Sequence, residues 1–400
     1  MIIKSSKIYE THGHFPGFIE IENGKIKALH GLDTNLTPDI DYGDNIIIPG
    51  IYDTHNHGGF GVRLSATTPA DEIKLFLKGC ASQGVTAILP TTSETEAMKT
   101  LCKMAETSQD GAKIMGIHSE GPWGARVGEK GINTGYPAVD MTYARKMLDA
   151  CGGKLKMVGI APEVEGAYEA MDFFLQNGVI MAIYHTDANF SQANAAIDRG
   201  ITVATHLGNV MTGLHHRDVG TMGACLLRDE VYCELICDGL HISLPMVELI
   251  LKMKDHDKII MISDSGAYAG APVGKYKSTF GGDNKSDRNI IEVTPEGFVL
   301  SSTGRLSGSS KPVIFGIKNL VQKLGLPLET VLRFACYNPH VKYGTDGIKG
   351  SIEEGKDADI VVLSPELDVL HTYVEGQLVY DHKVDTNLFN QKFIDAHKVG

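Results

Sequence analysis

The sequence contains no apolar segment of about 18 residues, the length that a membrane-spanning helix needs. Its first ten residues, MIIKSSKIYE, lack the apolar core of a secretory signal peptide. No basic run alternates with aromatic residues, and the net charge of −12 argues against a nucleic-acid partner. These absences favour a cytoplasmic protein. An anionic small substrate is not excluded, because local Arg and His residues decide how such a molecule is bound.

The seven cysteines include no C-x-x-C pair, and most of them lie inside apolar stretches. This pattern indicates buried, reduced thiols rather than disulfides or a thiolate metal site. The hydrophobic content of 42% and the charged content of 22% are typical of globular proteins. A chain of 400 residues is long enough for a barrel of roughly 250 residues and a second, smaller module.

Eight short apolar runs recur along the chain, and each ends in a residue that can bind a metal, move a proton or face a site. The runs cover residues 47–55, 85–92, 112–120, 155–163, 178–187, 201–207, 232–238 and 258–264. Most lack polar alternation, as strands buried on both faces do, and helical spacing separates most of them. The pattern predicts a parallel (β/α)8 barrel (a TIM barrel), in which the strand ends meet at the rim that carries the active site.

The two ends of the chain have a different hydrophobic pattern. Alternating runs flank Glu22-Asn23-Gly24 near the start and Glu375-Gly376 near the end, and both patterns are typical of hairpins. Neither end has enough apolar sequence to form a core alone. We therefore expect one discontinuous β-sandwich domain from residues 1–49 and 346–400, beside a barrel over residues 50–345. The irregular stretch 266–310 is expected to provide substrate loops.

Residues with the chemistry of metal ligands stand at the ends of several runs. His55 and His57 are two positions apart, so both imidazoles can reach one cation. Glu120 follows apolar residues, where a carboxylate is costly to bury unless it is paired or bound to metal. With His185 and His206 it completes a three-ligand set that leaves one position open, as catalytic zinc sites do. Each residue taken alone could instead be a packed core histidine or a salt-bridged glutamate.

Asp264 ends the eighth run, where a carboxylate could take a proton from a water and return it to a leaving amine. Its simpler alternative is a helix N-cap. Asp238 ends the seventh run and is expected to be structural, with His241 as a substrate contact.

Several motifs together resemble the amidohydrolase superfamily. They are PG-x-x-D-T-H-x-H-G, H-x-E-GP, THL-x-N, DG-x-H and the final S-D, between about Gly50 and Gly355. More narrowly, they resemble the N-acetylglucosamine-6-phosphate and N-acetylgalactosamine-6-phosphate deacetylases. The resemblance implies a divalent metal, with zinc expected and Fe²⁺, Mn²⁺ or Co²⁺ as alternatives, in one or two copies per chain. It also implies the release of acetate from an amino sugar 6-phosphate.

The resemblance implies roles for individual residues as well. The matched metal ligands are Glu120, His185 and His206, with His55 and His57 as a second-metal pair that some members have, and Asp264 matches the catalytic proton carrier. The positions matched to substrate contacts are Ile132, Asn133, Asn209, Val210, Arg217, His241, Leu306, Ser307 and Gly308. Because Arg217 matches an arginine that reaches the phosphate in a neighbouring subunit, a homodimer is also implied.

The chain departs from the family pattern in its substrate segments. The family usually has Lys-Gly-Ala/Thr-His where residues 130–133 read KGIN, so Asn133 replaces the histidine taken to polarise the acetamide carbonyl. Two alternatives therefore stay open. One is an amidohydrolase acting on an unphosphorylated N-acetyl sugar, or on another N-acyl or cyclic amide. Enzymes for those amides often use a carboxylated lysine at the fourth strand, where this chain has Glu163. The other is a non-catalytic scaffold, although such proteins usually lose ligands that are all present here.

Overall fold

A computed structural model of the chain describes residues 1–11, 13–107, 110–127, 132–278, 290–302 and 304–399. Its strands are, in chain order, β1 (Ile2–Glu10), β2 (Gly13–Glu22), β3 (Lys25–Gly31), β4 (Ile40–Asp41), β5 (Ile46–Pro49), β6 (Ile51–Asn56), β7 (Gly58–Gly59), β8 (Val62–Arg63), β9 (Val85–Pro90), β10 (Lys113–Ile114), β11 (Ile117–Ser119), β12 (Arg126–Val127), β13 (Ile132–Asn133), β14 (Leu155–Ile160), β15 (Ile180–Ile183), β16 (Ile201–Ala204), β17 (Tyr232–Leu235), β18 (Ile259–Met261), β19 (Gly274–Lys277), β20 (Ile290–Val293), β21 (Val299–Ser301), β22 (Ile360–Leu363), β23 (Val369–Val374), β24 (Gln377–Asp381) and β25 (Lys398–Val399).

The α-helices are α1 (Ala70–Ser82), α2 (Thr95–Met104), α3 (Met141–Cys151), α4 (Ala167–Gln176), α5 (Phe190–Asp198), α6 (Gly220–Leu227), α7 (Leu244–Met253), α8 (Val313–Lys318), α9 (Leu328–Leu332), α10 (Asn338–Lys342) and α11 (Gln391–His397). A 3-10 turn covers His256–Lys258, and π turns cover Asn319–Lys323 and Arg333–Tyr337. Among the described residues, none of these helices is both long and apolar enough to cross a bilayer.

A curled parallel sheet forms the centre of the molecule. Strands β6, β9 and β10 pair in parallel, and β11, β14, β15, β16, β17 and β18 form a second parallel set in that order. Parallel bridges between Thr91 and His118 and between Asn56 and Ser265 connect the two sets at both edges. The result is a barrel-like, mixed α/β domain in which α1 to α7 alternate with the strands.

The helices around this sheet bury one face each. In α4 the buried residues are Ala167, Ala170, Met171 and Phe174, the spacing of an amphipathic helix. Strand β9, with the sequence VTAILP, is buried along its whole length, as the unbroken apolar run predicts for a strand covered on both faces. Burying one large side chain such as Phe174 contributes about 1.5–3 kcal/mol, so this packing holds the strand ends in place.

The two ends of the chain share one sheet, as the sequence predicts. Its strand order is β24-β23-β22-β5-β1-β2-β3, and β4 pairs with β1. The contact between the ends is the antiparallel pairing of β5 with β22. Both expected hairpins are present, and the first turns through Asn23 and Gly24 with φ angles of 53° and 78°.

The first apolar run, residues 47–55, contains parts of two strands. Strand β5 belongs to the terminal sheet and β6 to the barrel-like sheet, with Gly50 between them. A Cβ atom at Gly50 would lie 2.0 Å from Thr86 Oγ1, so only glycine lets the chain pass from one sheet to the other here.

The region after the eighth barrel strand contains a small antiparallel sheet in the order β21-β20-β19-β25. Strands β20 and β21 form an antiparallel hairpin within this stretch. The last strand of the chain, β25, pairs with β19 and so joins this sheet rather than the terminal one.

Candidate metal centre and active site

Six side chains meet where the parallel strands end. His55 lies in β6 and His57 just beyond it, and Glu120 follows β11 directly. The other three follow β15, β16 and β18 within three residues, and they are His185, His206 and Asp264. Parallel strands point their carboxyl ends at one rim, and for this reason residues more than 200 positions apart come together.

Glu120 stands between two pairs of histidines. Its Oε1 atom is 2.8 Å from His206 Nε2 and 3.2 Å from His185 Nε2. Its Oε2 atom is 3.1 Å from His57 Nε2 and 3.8 Å from His55 Nε2. Within each pair the two Nε2 atoms are 3.2 Å apart. One carboxylate therefore faces two sets of imidazole nitrogens, an arrangement suited to a ligand shared by two cations.

Asp264 lies on the His55 and His57 side of this cluster. Its Oδ1 atom is 3.4 Å from His55 Nε2 and 3.5 Å from His57 Nε2. The sequence alternative, a helix N-cap, does not describe this position, since no helix of the described residues begins there. The backbone of Asp264 accepts a hydrogen bond from Ser309 N at 3.0 Å, which connects it to the loop after β21.

Three cluster residues have a left-handed backbone, which is uncommon outside glycine. The φ angles are 42° at His185, 32° at His206 and 50° at Asp264. Such conformations cost about 1–3 kcal/mol each and persist where the surrounding structure over-determines them, often at active sites. Their occurrence at three strand ends indicates that the fold holds these side chains in a required direction.

The charges of the cluster stabilise one another. Burial alone would raise the pKa of Glu120, but the charges of His185 and His55 outweigh it and hold this pKa well below its ordinary value. Burial would lower the pKa of His55, yet the charges of Asp264 and Glu120 raise it well above its usual range. Burial opposes ionisation of Asp264 too, but His55 and His57 lower its pKa. Both carboxylates are therefore anionic and attract positive charge to the cluster.

The donor set fits a divalent metal. His55, His57 and Glu120 form one group, and Glu120, His185 and His206 form another, with ligand atoms within 4.8 Å of one another in each. Imidazole nitrogens with a carboxylate suit zinc and other first-row divalent ions, and a cation could replace the protons that the imidazoles otherwise share with the carboxylates. The geometry thus supports a divalent metal site at this rim.

Two buried carboxylates near the cluster were not singled out from the sequence. Asp53 accepts hydrogen bonds from Ser263 Oγ at 2.6 Å and from Asn56 Nδ2 at 3.0 Å, which ties β6 to the residue before Asp264. Burial raises the pKa of Asp53 in spite of these bonds. The other is Glu234, whose side chain is fully buried beside His55. The usable signal was a carboxylate inside an apolar run, the same feature that identified Glu120.

The hairpin formed by β12 and β13 carries Ile132 and Asn133, two of the residues that the sequence predicts to contact the substrate. Asn133 is exposed; its Nδ2 atom donates to Asp187 Oδ2 at 3.4 Å and its Oδ1 atom accepts from Gly135 N at 2.7 Å. Asp187 also pairs with Arg126 and accepts a hydrogen bond from Tyr136. Ile132 pairs with Val127 across the hairpin, and Lys130 and Gly131 lie outside the described residues. The Asn133 side chain is therefore held near Asp187, two residues after His185.

The loop after β16 holds three further predicted residues. Asn209 Nδ2 donates to the carbonyl of His206 at 3.1 Å, and Val210 has a left-handed backbone with φ 51°. Arg217 is exposed and lines a cavity of about 400 Å³ together with Phe190 and His216. Within the described ranges, no hydrogen bond or ion pair connects Arg217 to the Glu120 cluster.

His241 and the late loop lie on other sides of the rim. His241 Nδ1 and Asp238 Oδ2 are 2.7 Å apart, and both side chains are largely buried, which agrees with a structural role for Asp238. Ser307 N donates to Val299 O at 3.0 Å, and Leu306 forms an antiparallel bridge with Leu300. Gly308 approaches Asp264, since a Cβ atom there would be 3.9 Å from the Asp264 carbonyl oxygen.

Comparison with known proteins agrees with this geometry. Residues 46–379 match the family model described as Amidohydrolase family. The chain is 30% identical to the N-acetylglucosamine-6-phosphate deacetylase of Vibrio furnissii over 90% of both chains. It is 29% identical to the N-acetylgalactosamine-6-phosphate deacetylase of Escherichia coli O157:H7, over 90% of this chain and 94% of the relative.

Among solved structures, a mutant N-acetyl-D-glucosamine-6-phosphate deacetylase from Mycobacterium smegmatis, in complex with N-acetyl-D-glucosamine-6-phosphate, is similar to the whole fold. The TM-score is 0.83 at 28% identity, covering 95% of this chain and 99% of that one. The family match spans most of the chain and includes all six residues of the cluster. The chain belongs to the amidohydrolase family.

Proposed function

We propose that this chain is a metal-dependent deacetylase of an N-acetyl amino sugar 6-phosphate, with N-acetylglucosamine-6-phosphate as its substrate. The observation that carries the proposal is the position of Glu120 between two histidine pairs, with Asp264 against one of them. The deacetylase relatives and the substrate complex of the Mycobacterium smegmatis enzyme support the choice of substrate. The products are acetate and the free amino sugar phosphate.

The proposed ligands are Glu120, His185 and His206 for one cation and His55, His57 and Glu120 for a second. Zinc is the first candidate for this nitrogen and oxygen set, and Fe²⁺, Mn²⁺ and Co²⁺ also suit it. When bound, such a cation polarises a carbonyl and makes a water more acidic.

Asp264 is the proposed proton carrier. Its Oδ1 atom accepts a proton from the water as the new C–O bond forms on the acetyl carbon. It then gives that proton to the amine nitrogen as the C–N bond breaks. The lowered pKa of Asp264 keeps its carboxylate ionised, the form that can accept a proton, and the Nε2 atoms of two imidazoles lie 3.4 and 3.5 Å from Oδ1.

The substrate is proposed to lie between the cluster and three loop segments. The first is Ile132 with Asn133, the second Asn209 with Val210, and the third Leu306, Ser307 and Gly308, with His241 at the side of the site. Gly308 supports this arrangement because it approaches Asp264 without a side chain.

Arg217 is proposed to bind the 6-phosphate in the site of a partner subunit, so that the working enzyme is a homodimer. Its exposure in a cavity and its lack of an ion partner among the described residues favour such a role. Leu214 and Leu227, exposed on the same loop and its helix, provide apolar area for such an interface.

The finer architecture is also part of the proposal. The curled parallel sheet is taken as a complete (β/α)8 barrel over residues 50–345, and the terminal sheet as a sandwich-type domain from residues 1–49 and 346–400. A cytoplasmic location is proposed because the seven cysteines are free and buried, as in proteins of reducing compartments.

The test is an acetate-release screen over N-acetyl-glucosamine, -galactosamine and -mannosamine, each with and without the 6-phosphate. We expect the highest kcat/KM for N-acetylglucosamine-6-phosphate. A higher kcat/KM for an unphosphorylated sugar would show that the substrate is a neutral N-acetyl sugar. A metal-replete protein that releases no acetate from any of the six would instead favour another amide substrate or a scaffold.

A further inference from the structure

Glu234 is a fully buried carboxylate inside the barrel-like domain. It lies in β17, in the run VYCELIC, and its side chain has an exposed fraction of 0%. A carboxylate in such a place is costly unless it is hydrogen-bonded and its charge is compensated. Among the described residues, no lysine or arginine forms an ion pair with Glu234, so its compensation must come from the His55 side.

Both oxygens of Glu234 face β6. Oε1 accepts a hydrogen bond from Thr54 Oγ1 at 3.1 Å, and Oε2 is 3.4 Å from His55 Nδ1. A carboxylate offers acceptor oxygens, so this contact suits a proton on Nδ1 of His55. The Nε2 atom, 3.2 Å from His57 Nε2, faces the cluster and is the nitrogen that could bind a cation.

The other histidines of the cluster are supported differently. His185 Nδ1 donates to the backbone carbonyl of Arg126 at 2.8 Å, a neutral acceptor. His206 Nδ1 is buried and has no hydrogen-bond partner among the described residues. His55 thus differs from both in having an anion behind its ring. A carboxylate behind a ligating imidazole fixes the tautomer and makes the ligand more basic.

We propose that Glu234 is a positioning residue: it holds the His55 ring so that Nε2 faces the cation proposed between His55, His57 and Glu120, and it strengthens binding at that second site alone. The inference rests on the proposed metal-dependent function and deepens it. Glu120 and Asp264 place negative charge on the cluster side of His55, and Glu234 adds a buried carboxylate behind the ring. Thr54 donates a hydrogen bond to that carboxylate and so helps to hold it in place.

The test compares wild type with Glu234→Gln, which keeps the shape of the side chain and removes its charge. The number of zinc or cobalt ions bound per chain is measured after metal-replete purification and dialysis. The affinity of the weaker of the two sites is measured by competition with a chelator. We expect about two equivalents in the wild type and a 10- to 100-fold weaker second site in the variant, the usual loss when a partner behind a metal ligand is changed. The first site should keep its affinity.

Asp359→Asn is the matched control. Asp359 is an equally buried carboxylate that pairs with Lys349 at 2.9 Å in the terminal sheet, so its loss should lower stability without weakening either metal site. Thermal melts with and without metal separate the two effects, because ligand stabilisation depends on Kd. Glu234→Gln should reduce the metal-induced rise in Tm, and Asp359→Asn should lower both Tm values equally.

A Glu234→Gln protein that binds two equivalents with wild-type affinity would overturn the proposal, whatever its Tm. A wild-type protein that binds only one metal equivalent and still releases acetate would also overturn the proposal. In that case the deacetylase function would stand without a second cation. A wild type that binds two equivalents and deacetylates none of the six sugars would refute the function and keep this inference. If Glu234→Gln does not fold, Thr54→Val serves instead, with a weaker second site expected and unchanged affinity contradicting the proposal.

Discussion

The Glu120 cluster and the loops around it differ in how firmly the chain holds their side chains. His55 and His206 are almost completely buried, and each cluster residue has at least two charged or imidazole neighbours within 4 Å. Arg217 and Asn133 are exposed and lie on loops. The residues proposed to perform the chemistry are therefore held by one another, even where they are partly exposed, as His57 is with 37% of its side chain accessible. Residues proposed to select the substrate lie on loops and can change without disturbing the fold.

This difference also explains where the chain departs from its family. Asn133, where the sequence departs from the pattern that it resembles, is exposed on the β12–β13 hairpin, where a substitution costs little stability. The cluster residues are constrained by packing, by mutual charge and by left-handed backbone at three positions. Variants of the proposed ligands in the cluster should therefore lose both metal and rate, and a variant of Asp264 should lose rate alone. Variants in the loops should change only the preference among substrates.

The largest effect is expected for Glu120→Gln. The change removes the charge shared by both groups of histidines, so both metal content and turnover should fall. The fall in kcat should exceed about 10²-fold, since changes to mere partners of metal ligands already cost 10- to 100-fold. Metal analysis and acetate release measure the two effects, and full metal retention would show that Glu120 is not a ligand.

Asp264→Asn should separate chemistry from metal binding. Asn cannot accept and return the proton, and so kcat should fall by about 10²- to 10⁴-fold while metal content stays near that of the wild type. The variant is compared with wild type by steady-state kinetics and elemental analysis on the same preparation. Retention of more than a tenth of the turnover would rule out Asp264 as the proton carrier.

Arg217→Ala tests whether the exposed loop residues select the substrate. Loss of a charge-assisted contact to phosphate should cost about 2–3 kcal/mol, or roughly 30- to 150-fold, mostly in kcat/KM. The penalty should be large for the 6-phosphate and small for the unphosphorylated sugar. Equal penalties on both substrates would mean that Arg217 does not read the phosphate, and sedimentation of the same variant reports whether the dimer persists.

His55→Asn combined with His57→Asn should have a smaller effect on rate. The double change removes the second group of ligands and leaves Glu120, His185 and His206, so about one metal equivalent should be lost and partial activity kept. Elemental analysis decides the matter. An unchanged metal count would assign the pair to packing instead.

Asn133→Ala should have the smallest effect. Its side chain is exposed and its bond to Asp187 is long, so we expect a change in kcat/KM of about twofold, the scale of an ordinary surface substitution. If Asn133 instead polarises the acetyl carbonyl, kcat should drop by about 10²-fold or more. That result would assign Asn133 a catalytic role rather than a role in substrate selection.

Much of the site could be predicted because its signals are local. Apolar runs ending in His, Glu or Asp identify strand ends, and the parallel fold brings such ends to one rim without further information. The (β/α) alternation and both terminal hairpins followed from periodicity and turn residues in the same way. The apolar run over residues 47–55 does not by itself reveal that its two halves pair in different sheets, as β5 and β6 do.

What the sequence by itself determined is thus the family and the alternating elements, and it predicted which side chains those elements present as candidate ligands and proton carrier. Only the tertiary structure decided which residues meet across long separations. Glu234 faces His55 over 179 positions, Asn133 faces Asp187 rather than the cluster, and β25 pairs with β19. Local patterns set which face of a strand or helix is buried, whereas contacts between distant segments depend on how those faces pack together in space.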